Sequence, residues 1–289
     1  MTDGPVADLS RVTKLFKEVV APTTLATGLL FYFGWSHAYW FFDYFGVNST
    51  VLGLTPSDYL MRGLDGLFVP LVVVAGLGLV AVWVRGLLAG RLGRRTLPPW
   101  LPLALGGAGV ALCANGLSRV VVVTPFNRPL AVAPVSLAAG VVSLAAAVRL
   151  VTAGQPHSEV AGLVEYGAIF VLVGLSLFWA AADYSAAVGR SRAAQFVREL
   201  PSHPEAIVYS EHSLNMTAGG VTAVRCRDPE AAYQYRYDGL ALVLQSSDQF
   251  VLLPKAWSRG DGVAMVLPRN DSVRLEFMRA GATDLSPTC

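Results

Sequence analysis

Residues 166–182 read YGAIFVLVGLSLFWAAA, a run of 17 residues without a formal charge, bounded by Glu165 and Asp183. A helix needs roughly 20 apolar residues, with a range of about 17–25, to cross a hydrocarbon core about 30 Å thick. Four more charge-free runs lie upstream: 24 residues between Glu18 and Asp43, 19 between Asp65 and Arg85, 23 between Arg95 and Arg119, and 20 between Arg128 and Arg149. All five fit the window. Backbone polar groups in lipid need partners within their own segment, so these runs are expected to be helices.

The composition agrees. Hydrophobic residues make up 54% of the 289, charged residues only 15%, whereas a soluble globular chain carries about 25% charged residues. The charges are uneven: 20 fall in residues 1–189 and 22 in residues 190–289. The expected architecture is therefore a polytopic α-helical membrane protein with a small all-β domain at its C-terminal end. The expected organisation is an N-terminal cytoplasmic segment over 1–18 and a five-helix bundle over 19–188, with helices near 19–42, 66–86, 100–123, 129–149 and 161–186. A stalk over 189–204 and a soluble β-rich domain over 205–289 follow. A net charge of +2 offers no footprint for nucleic acid.

The first helix is not read as a cleavable signal, since its apolar stretch runs into Phe31, Tyr32, Phe33, Trp35, Tyr39, Trp40, Phe41 and Phe42. Those rings form an aromatic belt of the kind found at headgroup level. Orientation follows from Lys and Arg in short loops. One side collects Arg11, Lys14, Lys17, Arg85, Arg91, Arg94, Arg95 and Arg149; the other collects Arg62, Arg119, Arg128, Arg190, Arg192 and Arg198. Eight against six favours an N-terminus inside and a C-terminal domain outside the cytoplasm, at the plasma membrane.

Cys113 falls in the third helix and reads as a small apolar packing residue. Cys226 and Cys289 lie in the β-rich region; they are expected as free thiols, a bridge being the alternative that an oxidising compartment would permit. Basic residues are 19 Arg against three Lys (Lys14, Lys17, Lys255), which with the Ala, Gly and Val richness suggests a GC-rich bacterial genome. In that setting the Asn48, Asn215 and Asn270 sequons are read as accidental.

Between Asp43 and Asp65, Gly46, Gly53 and Pro56 interrupt the chain. Thr55 as N-cap and Pro56 at the first helical position predict a short interfacial helix, with Tyr59, Leu60 and Leu64 toward the membrane and Arg62 and Asp65 toward water. A re-entrant loop is the sharper alternative. Intramembrane polar residues supply the site candidates: Glu165, Asp183, Arg119, Asn115 and His37. Ionisable groups in a bilayer are costly and often mark ion or substrate paths; charges that fix helix depth are the plainer reading. If the helices alternate, Arg119 and Asp183 reach the same side and can pair, while Arg149 and His157 are partners for Glu165. Small residues, including Gly86, Gly90, Gly106, Gly107, Gly109 and Gly140, predict close helix packing.

From Tyr184 the last helix is expected to continue to Pro201 and Pro204. Strands are predicted at 206–210, 233–237, 240–245, 249–253, 263–267 and 273–277, with turns that include Asp238-Gly239. Tyr233, Tyr235 and Tyr237 alternate and share one face, read as packed aromatic surface. No catalytic or nucleotide-binding motif occurs. His203, His212, Glu205 and Glu211 match no ligand spacing and read as exposed polar residues. The functional expectation is a non-enzymatic interaction, sensing or scaffold protein of the cell envelope, with no cofactor or metal. Its partners would be the lipid bilayer and either a second copy or an envelope protein. The alternative is a channel or transporter subunit whose path forms in an oligomeric bundle.

Overall fold

The computed structural model describes residues 20–92, 98–152, 159–282 and 289. Five long helices precede a six-stranded antiparallel sheet: α1 (Ala21–Asp43), α2 (Pro56–Leu92), α3 (Leu101–Val121), α4 (Val132–Val151) and α5 (Glu159–Glu199). Four of them, α2 to α5, are long and apolar enough to cross a membrane. At 23 residues α1 is also long enough, but Thr23, Thr24, Thr27, Ser36 and His37 and its belt of Tyr and Trp lower its mean hydropathy. The chain is thus a helical membrane part with a separate antiparallel sheet. The N-terminal segment 1–18, the basic residues Arg94 and Arg95, and His157 lie outside the described residues.

The 41 residues of α5 extend to roughly 62 Å, about twice the hydrocarbon thickness and more than a single crossing takes up. Leu200–Ser202 tightens into a 3-10 turn on reaching Pro201. The short interfacial helix expected after Thr55 is not a separate element: it forms the first turns of the 37-residue α2. Its cap is the expected one. The Thr55 hydroxyl accepts from the Asp58 amide (3.3 Å), and the Asp58 carboxylate accepts from the Thr55 amide (2.8 Å). This reciprocal arrangement satisfies two donors at the helix start, and no breaker follows until Pro70, so the helix runs on.

The chain divides into two compact units. A helical unit combines the described residues up to Trp35 with Leu60–Ala187; a sheet unit combines Ser36–Tyr59 with Val188–Cys289. In the helical unit, α3 and α4 approach at backbone distance. A Cβ added at Gly140 would sit 2.6 Å from Cys113 Sγ and 2.9 Å from the Gly109 carbonyl oxygen, and one added at Gly116 would sit 2.7 Å from the Ala133 carbonyl oxygen. Only hydrogen at these positions lets the two helices gain this much contact.

In the sheet unit the strands are β1 (Glu205–Ser210), β2 (Thr222–Arg225), β3 (Tyr235–Gln245), β4 (Gln249–Pro254), β5 (Met265–Pro268) and β6 (Val273–Met278). Their order is β5-β4-β3-β1-β6, with β2 also on β3. Asp238-Gly239, read from sequence as a turn, lies instead inside the 11-residue β3. There it forms a bulge, the β1–β3 register jumping from Val208↔Tyr237 to Ala206↔Leu240. Gly239 has φ of 84°, and a Cβ on it would overlap the Gly220 carbonyl. The Asp-Gly pair supplies the positive φ that either a turn or a bulge needs. The bulge also resets the alternation, so Tyr237 and Leu240, three apart, face one core. β2 was missed by sequence reading because Thr222–Arg225 carries no apolar/polar alternation, three of its four residues being exposed.

Both faces of the sheet are covered, which is why β4 is buried at five consecutive positions instead of alternating. One face packs Ala206, Val208, Tyr237, Leu240, Phe250 and Leu252 beneath Leu214, Met216 and Val221. The other face packs Ala241, Val251 and Leu253 against Phe42, Phe45, Val47, Leu52, Ala193, Leu200 and Trp257. The stretch expected as a stalk thus places Ala193, Phe196, Val197 and Leu200, an i, i+3, i+4, i+7 stripe, onto the sheet.

Candidate functional site

The helical unit gathers polar side chains where α3 ends and α4 begins. Asn127, fully buried, occupies the turn between them and satisfies three backbone or hydroxyl partners. Its Nδ2 donates to Ser118 Oγ and to the Val122 carbonyl (both 2.9 Å), and its Oδ1 accepts from the Thr124 amide (2.7 Å). This is the Asx-type local bonding that lets a chain reverse without orphaned backbone groups. Arg119, in the last turn of α3, donates from Nη1 to the Asn127 carbonyl (3.3 Å) and sits 3.0 Å from Asp183 Oδ2 on α5. The Arg119–Asp183 contact lacks hydrogen-bond alignment, so it holds by charge. With side chains 26% and 18% exposed, the pair is shielded from most solvent, where charge attraction is stronger. A turn earlier, Asn115 Nδ2 donates to Ser136 Oγ on α4 (3.1 Å).

Glu165 meets Arg149 (3.4 Å), but their side chains are 37% and 66% exposed, and such a pair contributes little. His37 belongs to the sheet unit, stacked on Phe41 with centroids 6.4 Å apart. The structure therefore brings three of the five intramembrane candidates, Asn115, Arg119 and Asp183, into one α3–α4–α5 network and leaves Glu165 and His37 elsewhere. The residue sequence reading missed is Asn127. Its signal was available: a turn-forming Asn in Thr124-Pro125-Phe126-Asn127, between two apolar runs.

An open groove of about 610 Å3 runs along the same helices, lined by Leu105, Pro134, Ala138, Val142, Ala146, Leu177 and neighbours. Its two hydroxyls are turned to backbone: Ser143 Oγ donates to the Leu105 carbonyl (2.9 Å) and Ser176 Oγ to the Leu172 carbonyl (2.8 Å). The groove is consequently apolar in character.

In the sheet unit Cys226 and Cys289 form a disulfide, which departs from the expectation of two free thiols. The geometry was unreadable from sequence because their partnership depends on the fold, with Cα atoms 5.1 Å apart across 63 residues. His203, expected as exposed, is half-buried with its ring stacked on Phe196 (4.6 Å). Glu205 accepts from the Gly239 amide (2.7 Å), closing the bulge. Tyr237 is buried, its hydroxyl accepting from the Leu214 amide (2.7 Å), while Tyr233 donates to the Asp271 carbonyl (3.2 Å). Among the described residues no three His, Cys, Asp or Glu side chains come together as a metal-holding group. No family model, no curated protein and no solved structure matches the chain.

Proposed function

We propose that this chain is a non-enzymatic interaction or sensing protein of the bacterial cell envelope. In this reading it crosses the plasma membrane five times, keeps its N-terminus inside, and presents the sheet unit outside the cytoplasm to a protein partner. The supporting observation is how the helical unit uses its polar groups. Arg119 pairs with Asp183 and bonds the Asn127 carbonyl, and Asn115 bonds Ser136, so these polar groups tie α3, α4 and α5 together instead of facing an open path. The Cys226–Cys289 bridge supports the outside placement, because disulfides persist in oxidising compartments.

The test uses intact cells and the full chain. A membrane-impermeant maleimide should label Cys226 and Cys289 only after an impermeant reductant; labelling that requires lysis overturns the topology. A photo-crosslinker at exposed Val51 or Phe277 should then give a discrete adduct to one envelope protein. Absence of any adduct in cells, together with ion flux in liposomes carrying the pure protein, would replace this reading with the transport one.

A further inference from the structure

We infer that the aromatic end of α1 carries a binding site for anionic phospholipid headgroups, built from two arginine–aromatic stacks. Trp40 lies in the last turn of α1 and Tyr44 in the turn that follows Asp43, four residues on. The Arg190 guanidinium lies over the Trp40 ring, Cζ 3.9 Å from its centroid, and that of Arg259 lies over Tyr44 at 4.8 Å. Both arginines are exposed. Among the described residues neither guanidinium donates a hydrogen bond or comes within ion-pair distance of a carboxylate, although Asp261 is two residues from Arg259.

A ring stacked on one face of a guanidinium leaves its in-plane N–H donors free, and that fork matches phosphate oxygens. The rings are themselves held: Trp40 meets Tyr39 edge-on (5.2 Å), and Tyr44 meets Trp257 (6.0 Å). Little side-chain entropy remains to be lost when an anion binds. The height is also right. Arg190 is seven residues, about 10 Å, beyond Asp183, where the charge-free run of α5 ends, and a side chain that leans back toward the helix N-terminus covers roughly half of that distance, into a headgroup layer about 5–7 Å deep. Tryptophan sits at headgroup level, so the Trp40–Arg190 stack places both groups at the same depth. What lies at that depth in a bilayer is lipid phosphate, and the excess positive charge selects anionic headgroups.

The inference rests on α1 and α5 crossing the bilayer, and the experiment separates the two. Full-length protein and R190Q/R259Q are reconstituted into nanodiscs of phosphatidylcholine alone or of an equal mixture with phosphatidylglycerol. Stable incorporation into phosphatidylcholine discs reports the membrane reading alone. The lipid retained after extraction, measured by mass spectrometry, reports the site. The native protein should retain phosphatidylglycerol over phosphatidylcholine by roughly ten- to thirtyfold, from two arginines near the surface. R190Q/R259Q should lose most of that preference while melting normally in phosphatidylcholine, and R190K/R259K should keep only part. No headgroup preference in the native protein, or a preference unchanged in R190Q/R259Q, overturns the inference. Displacement of the retained lipid by millimolar inorganic phosphate, pointing to a soluble anion, also overturns it.

Discussion

Removing the Cys226–Cys289 bridge should destabilise the sheet unit by about 4 kcal/mol. The bridge joins residues 63 apart. Closing a loop of that length takes roughly 14 cal/mol/K from the unfolded chain, or about 4.3 kcal/mol at 25 °C. With a urea dependence of about 2 kcal/mol/M, the unfolding midpoint should fall by roughly 2 M. The assay is hydrogen exchange of β1, β3 and β4 peptides against urea, on the full chain in micelles, with and without reductant. These strands hold the fully buried Val208, Leu240 and Leu252, so their amides open only when the whole unit does. Cys226→Ser, Cys289→Ser and the double variant should shift the midpoint equally, because either substitution already opens the loop. Equal midpoints for oxidised and reduced protein refute the reasoning, as does additivity of the two single variants.

Three further outcomes are expected. Asp183→Asn should cost about 1–3 kcal/mol in thermal unfolding of the helical unit, since it leaves the Arg119 charge without its counter-ion, and the swap R119D/D183R should recover part of the loss. No change in Tm for Asp183→Asn argues against the pair. Gly140→Val should lower stability by about 1–3 kcal/mol through forced separation of α3 and α4, whereas Gly107→Ala, where a Cβ meets nothing within 4 Å, should be near neutral. Equal effects in the two variants would remove the close approach as an explanation. Leu52→Ala should cost about 2–5 kcal/mol, and the loss should register in the sheet unit, because fully buried Leu52 packs in that core while lying between two helices in sequence. An unchanged urea midpoint for β4 peptides would contradict that packing.

The helical part was legible because its signal is one-dimensional. A charge-free run of 17–24 residues reports helix and environment together, since lipid leaves the backbone no other partner. The Thr55–Asp58 cap and the passage of α5 beyond Asp183 were legible for a similar reason: both depend on residues within a few positions. The polar candidates Asn115, Arg119 and Asp183 could be picked as costly, and even the Arg119–Asp183 pairing follows from alternating helices.

Tertiary structure decided what depends on residues distant in sequence. Asp238-Gly239 suits a turn or a bulge equally, and only the arrival of β1 and Glu205 opposite it selects the bulge. Asn127 becomes the centre of the polar network because α3 and α4 close around it. Cys226 and Cys289 pair with Cα atoms 5.1 Å apart, a proximity that their separation of 63 residues does not reveal. Finally, residues 36–42, the connection after Asp43 and residues 189–204 read as the end of a membrane helix, a loop and a stalk when each is taken alone. Their apolar side chains, Phe42, Phe45, Leu52, Ala193 and Leu200, cover the second face of the sheet, which a local pattern cannot reveal. Burial is a property of what packs against a side chain, and the sequence by itself states only that the side chain is apolar.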